Sequence, residues 1–134
     1  MGEHRKGVLD TSVIIDISFI SGDALPAESA IAAITLAELT AGPLTAATPM
    51  ERATRIERLQ WTEGKFEAIP FDVPAARAYG RIYAATLATN RKPRGGRAVD
   101  LLIAATALSR ELPLYTRNPA DFSSIAEIVE IVGV

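Results

Sequence analysis

Gly7-Val8-Leu9-Asp10-Thr11-Ser12-Val13-Ile14-Ile15 decides how this chain of 134 residues is read. Gly7 to Leu9 is a short apolar run of the kind that forms a buried strand, and Asp10 ends it. Thr11 and Ser12 open helices readily, and Val13, Ile14, Ile15 and Ile17 carry an apolar helix onward. Ser21-Gly22-Asp23 then breaks it.

Outward from this junction, strands and helices alternate. Residues 30–34 read as a second buried strand, with Thr35 capping a helix that runs from Leu36 towards Leu44. Thr48-Pro49, with Glu51 three residues after the cap, starts a third helix that reaches about Trp61 and closes at Glu63-Gly64. Residues 66–71 make a strand. Asp72 caps a long helix to about Ala88, a polar glycine-containing loop covers 90–97, and residues 98–110 form a helix apolar on nearly every side. Residues 112–116 and 127–132 are the last two strands. This order predicts an α/β fold, a mostly parallel sheet of four to five strands with helices on both faces. Right-handed crossovers bring the strand ends to one edge, where ligands bind in open α/β sheets. Asp10 ends the first strand there, Glu38 follows the second, and Asn118 and Asp121 follow the strand ending at Thr116.

Length suits one domain over residues 1–134, with 1–6 as an N-terminal tail. The formal net charge of -2 means that any contact with nucleic acid rests on a local basic patch. Absence of cysteine removes disulfides, thiolate catalysis and zinc–sulfur sites. The single histidine, His4, lies in the polar start of the chain, which argues against a Ser-His-Asp triad or a histidine-pair ribonuclease. No segment reaches the roughly 20 apolar residues of a membrane span. The expectation is a soluble, cytoplasmic protein with no membrane partner.

Carboxylates therefore carry the candidate chemistry. Asp10 before Thr11-Ser12 also suits a helix cap, and Thr35-Leu36-Ala37-Glu38 has the form of a capping box, so each has a purely structural alternative. Asp100, inside Ala98-Val99-Asp100-Leu101-Leu102-Ile103, is harder to place. The helix dipole gives a carboxylate about 0.3–1 kcal/mol near an exposed helix start, while desolvating an unpaired one costs several kcal/mol. A cap or an arginine partner is one account; a cation shared with other carboxylates is a better one. All-oxygen ligation points to Mg²⁺ or Mn²⁺, metals that suit phosphodiester hydrolysis.

Four blocks in order, residues 8–16, 34–39, 100–107 and 116–122, resemble the PIN domain, and in particular the VapC-type toxins of toxin–antitoxin pairs. The resemblance runs from Val8 to about Val132. It implies a PIN-like three-layer α/β/α fold and an Mg²⁺- or Mn²⁺-dependent endoribonuclease. It also implies a VapB-type antitoxin whose tail covers the acidic site, a homodimer, and contact with operator DNA only through the antitoxin. By the same analogy Asp10, Glu38 and Asp100 are metal ligands, directly or through water, with Thr11, Ser12 and Thr116 as polar contacts beside them. One position departs from the pattern: a fourth acidic residue of many PIN domains aligns with Asn118, read as lining the site, while Asp121 either substitutes for it or only caps the turn before Phe122. Asp16, two turns down the first helix, is read as peripheral.

Arg91, Lys92, Arg94 and Arg97 form a basic loop just before Asp100, suited to holding RNA phosphates or simply to standing in solvent. Arg52, Arg55 and Arg58 repeat at three-residue spacing and form a second candidate stripe for RNA, but Glu51 and Glu57 beside them make an ordinary exposed face the simpler reading. Aromatic platforms for stacked bases are scarce. Two alternatives stay open: a catalytically silent PIN-like module that binds protein, motivated by Asn118, and a nuclease for structured DNA using the same site.

Overall fold

The computed structural model describes residues 5–89, 91 and 95–134. Strand β1 (Lys6–Leu9) pairs in parallel with β2 (Glu28–Ala32) on one side and β4 (Leu114–Thr116) on the other. Strands β3 (Glu67–Ile69) and β5 (Ile131–Gly133) complete the edges, giving the order β3-β2-β1-β4-β5. All four pairings are parallel. The chain builds outward from β1 to β3 and then returns to build the other half. The reversal falls between β1 and β4, which makes the carboxyl ends of these two strands the natural site.

Side chains alternate along each strand, so both faces are covered. Val8, Ala30, Ile69 and Leu114 point into a core with Ile82 of α4 (Val73–Ala88) and Ile103 of α5 (Gly96–Ser109). Leu9, Ile31 and Tyr115 point the opposite way, against Val13 and Ile14 of α1 (Thr11–Ile15) and Leu39 of α2 (Ala33–Ala41). Helix α3 (Pro49–Lys65) adds Leu59 to this second layer. The result is the three-layer α/β/α arrangement anticipated, with five strands, all parallel. No helix among the described residues is long and apolar enough to cross a membrane.

Several boundaries differ from expectation for identifiable reasons. Strand β2 ends at Ala32 and α2 starts at once from Ala33, with no side-chain cap at its start. Thr35 is therefore buried inside the helix and no capping box forms there. Helix α3 runs through Gly64 to Lys65, held by buried Thr62 and by the edge-on contact of Trp61 with Phe66 at 5.5 Å. The caps at Thr48 and Asp72 form as expected, accepting the amides of Glu51 and Ala75. Helix α5 begins at Gly96 because Gly95 adopts φ 65, a left-handed conformation that favours glycine and turns the chain into the helix. After β4, a 3₁₀ turn over Pro119–Ile125 buries Phe122 and Ile125, which leaves β5 shorter and later than expected. At the other end of the chain Lys6 already pairs with Glu28 in the sheet, so the strand reaches into the stretch expected as tail.

Gly7 shows how tightly the centre is packed. A Cβ there would meet Tyr115 Cε1 at 2.6 Å and Pro26 Cγ at 3.2 Å. Tyr115 is buried on β4, so its ring has no open space to enter. Gly7→Ala is expected to cost about 1–3 kcal/mol of stability, the range for overpacking, read as a lower urea midpoint with unchanged slope.

Candidate active site

Asp10 stands at the carboxyl end of β1 and is 4% exposed. It occupies the position before α1, yet its side chain caps no helix amide. Instead Oδ2 accepts two hydroxyl donors, Ser12 Oγ at 2.9 Å and Thr116 Oγ1 at 2.9 Å. Each of these hydroxyls is itself fixed from behind. The Arg117 amide donates to Ser12 Oγ at 3.1 Å, and the Asn118 amide donates to Thr116 Oγ1 at 3.0 Å. Both hydroxyl protons are thus committed to Asp10, while Oδ1 accepts no hydrogen bond among the described residues. The helix cap proposed for Asp10 is replaced by a two-hydroxyl cradle drawn from α1 and β4.

Glu38 is tied to the same edge by another hydroxyl. Thr11 donates to Glu38 Oε1 at 2.6 Å, and the Thr11 and Thr35 hydroxyls touch at 3.0 Å. What resembled a capping box in the sequence is a connection between α1 and α2. Glu38 itself is exposed, with its carboxylate held at the start of α1.

Asp100 lies in the second turn of α5, half-buried. Its pKa is pushed up from 3.8 to about 6, first by burial and then by the negative charges of Asp10, Glu38 and Asp121; Arg97 acts in the opposite direction. Four carboxylates from four separate parts of the chain therefore share one electrostatic neighbourhood. Asp121 is exposed in the first turn of the 3₁₀ segment, close enough for its charge to act on Asp100. Asn118 precedes that turn, exposed, with its amide engaged by Thr116. Asp16 points away into an ion pair with Arg117 at 3.2 Å, and Arg117 also donates to the Val134 carbonyl at 2.9 Å.

The fit of a divalent cation follows from the donor set. The edge offers carboxylate and hydroxyl oxygens without thiol or imidazole, which matches Mg²⁺ or Mn²⁺. Among the described residues no group of three or more His, Cys, Asp or Glu side chains is placed to hold a metal ion by itself. An open site is what Mg²⁺ accepts, since it keeps several waters and takes one or two carboxylates together with substrate phosphate. The residues present fit such a group.

Of the expected RNA-holding loop, Lys92 and Arg94 lie outside the described residues. Arg97 sits in the first turn of α5 within electrostatic reach of Asp100, and the Arg91 amide donates to the Thr86 carbonyl at the end of α4. Of the arginine stripe on α3, Arg55 is structural: it donates to the Gly42 carbonyl at 2.8 Å and pairs with Glu51. Arg58 lines a cavity of about 460 Å³ that also includes Thr11 and Glu38. The sequence reading had Arg58 only as one member of a candidate stripe and favoured an exposed face, because its proximity to the acidic edge depends on how α3 packs beside α1 and α2.

Comparison with known proteins agrees with this geometry. The PIN domain family matches residues 7–128. Over 133 residues the chain is 38% identical to Ribonuclease VapC5 of Mycobacterium tuberculosis, covering 96% of this chain and 95% of that protein. The crystal structure of VapBC-5 from the same organism, a member of the VapBC family of toxin–antitoxin systems, superposes with a TM-score of 0.83 at 37% identity. That match covers 97% of this chain and 99% of the other. DNA-bound VapBC from Salmonella typhimurium gives a TM-score of 0.72 at 27% identity, over 94% and 96% of the two chains. With the acidic edge, the all-parallel sheet and these likenesses together, the chain belongs to the PIN-domain family and is a homologue of the VapC ribonuclease toxins.

Proposed function

We propose that this chain is a divalent-metal-dependent endoribonuclease toxin, a single PIN domain acting in the cytoplasm and restrained by a VapB-type antitoxin. The observation that carries the reading is the Asp10 cradle beside a raised Asp100, since structural stability alone gives no reason to gather four carboxylates. Asp10 and Asp100 would hold an Mg²⁺ or Mn²⁺ ion, with Glu38 and Asp121 completing its negative surroundings. Such an ion supplies polarisation of the phosphoryl oxygens and an acidified water. The protein's own part is positional. Ser12 and Thr116 fix one oxygen of Asp10 and leave the other without a protein donor among the described residues, and Thr11 ties Glu38 to the start of α1. The raised pKa of Asp100 belongs to the metal-free protein: a bound cation would offset the three neighbouring carboxylates and displace the proton. The basic side chains from Arg91 to Arg97 would hold the RNA backbone.

Kinship to VapBC complexes supports an antitoxin partner, with operator DNA reached through that partner. A homodimer is part of the proposal, consistent with exposed Val73, Tyr83 and Leu87 along α4.

Incubating the purified protein with total RNA tests the reading, with Mn²⁺ or Mg²⁺, with chelator, and with Asp10→Asn. Discrete fragments that need both metal and Asp10 are expected, together with Mn²⁺ binding by calorimetry that disappears in Asp10→Asn. Metal-dependent cutting retained by Asp10→Asn would remove Asp10 from the site. Absence of both metal binding and cleavage would favour a silent protein-binding module.

A further inference from the structure

We infer that the groove between α1 and α3 is a binding track for single-stranded RNA leading from the acidic edge, with Arg58 holding a phosphate and Trp61 stacking a base. The inference rests on the ribonuclease reading above and names where its substrate lies outside the reacting centre.

Two cavities carry it. The first, about 460 Å³, opens at the acidic edge, with Thr11 and Glu38 on its wall. The second, about 300 Å³, is lined by Ile14, Ile17, Glu57 and Trp61. Ile15, Thr54 and Arg58 line both, so the two form one continuous groove. Thr54, Arg58 and Trp61 follow one another at helical spacing of four and three residues, placing them along one face of α3.

Arg58 is the pivot. Arg55, one turn earlier, is consumed by Glu51 and the Gly42 carbonyl. The guanidinium of Arg58, half-buried, has no hydrogen bond or ion pair among the described residues. A half-buried cation with its donors unused, in a groove that starts among carboxylates, suits an anionic ligand held next to the centre that acts on it. Arginine is well matched to phosphate because its planar fork presents paired donors.

Trp61 supplies what the composition made scarce. Its ring packs edge-on against Phe66, which fixes its orientation, yet 44% of the residue remains exposed. Ile15, 47% exposed, lies across the groove. An indole held by Phe66 yet 44% exposed, with an aliphatic opposite wall, makes a slot for a base, and stacking of this kind tolerates any base. Glu57 faces the outer cavity and opposes the charge of Arg58, so the track favours a strand that contributes one phosphate at Arg58 and turns its bases inward.

Trp61 is the sole tryptophan of the chain, so its emission reports on this groove alone. The test uses the full-length Asp100→Asn protein in chelator, so that nothing is cut, and a random-sequence single-stranded oligoribonucleotide carrying a terminal fluorophore. Dye anisotropy reports binding anywhere, while Trp61 emission reports binding in the groove. Both signals are expected to follow one curve. Arg58→Ala should weaken binding about tenfold and lower the salt dependence by about 0.7 in log–log slope. Trp61→Phe should weaken binding less than Trp61→Ala, which should cost about tenfold. Anisotropy that rises while Trp61 emission stays constant would overturn the track and return the groove to a protein partner. Equal affinity in Arg58→Ala, or no binding of the oligonucleotide, would also overturn it. Failure of the ribonuclease reading looks different: the wild-type protein with Mn²⁺ would leave RNA intact while Asp100→Asn still bound it through Trp61.

Discussion

Asp100→Asn is expected to raise the melting temperature of the metal-free protein while lowering RNA cleavage in Mn²⁺ on the order of 10²–10³-fold, the scale of removing one group that stabilises transition-state charge. The two changes have the same origin. Burial and three neighbouring carboxylates lift the Asp100 pKa to about 6, against 3.8 in an unfolded chain. Between these values the folded protein holds the proton more tightly than the unfolded one. For this group, stability therefore falls as pH rises from about 4 to about 6, and the cost is fully present at pH 7. The full shift corresponds to about 3 kcal/mol; half-exposure and solvent screening reduce it to about 1–2 kcal/mol. Asparagine removes the charge, so a gain of about 4–8 °C follows in chelator. The wild-type protein should gain stability relative to Asp100→Asn as pH is lowered through 6, and Mn²⁺ should stabilise wild type more. A variant that loses activity and melts lower at pH 7 in chelator would show Asp100 to be a structural residue.

Phe122→Ala is expected to cost about 3–5 kcal/mol, the range for truncating a buried aromatic, which is a large share of the roughly 5–15 kcal/mol that holds a domain folded. Phe122 is 1% exposed and is among the largest fully buried side chains. It anchors the 3₁₀ turn whose preceding residue is Asn118 and whose first turn carries Asp121. Loosening that turn withdraws the Asn118 amide from Thr116 and with it one support of Asp10. Chemical denaturation should show the stability loss. At a temperature where the variant is still folded, cleavage should fall further than the folded fraction alone explains. A variant of wild-type stability would mean that the cavity collapses without strain.

The sequence conveyed the sheet and its acidic edge because both rest on local signals. An apolar run ending at Asp10 before Thr11-Ser12, and an aspartate inside an apolar helix at Asp100, need no knowledge of neighbours to be noticed. Glu38 was legible as a residue but ambiguous in role, since Thr35-x-x-Glu38 has the form of a helix start. The helix in fact starts from Ala32, a residue with no capping side chain, so the true boundary carried no signal. The second hydroxyl on Asp10 comes from Thr116, 106 residues away, and the arrangement at Arg58 depends on three helices meeting. Contacts of that separation are set by β1–β4 pairing and helix packing, which no local pattern encodes. Residues 119–125 carried no element in the sequence because burying Phe122 and Ile125 governs the shape of this 3₁₀ turn more than backbone propensity does.

The central position of β1 also has a bearing on synthesis. Strand β1 is made shortly before β2 and can pair with it soon after, but its other edge stays open until residues 114–116 are made. Until then Asp10 lacks the Thr116 hydroxyl, Thr116 lacks the Asn118 amide, and Asp100 has no Asp121 beside it. Nearly the whole chain must emerge before the acidic edge exists in its finished geometry. The acidic edge is therefore a property of the completed sheet, assembled late from segments far apart in the order of synthesis.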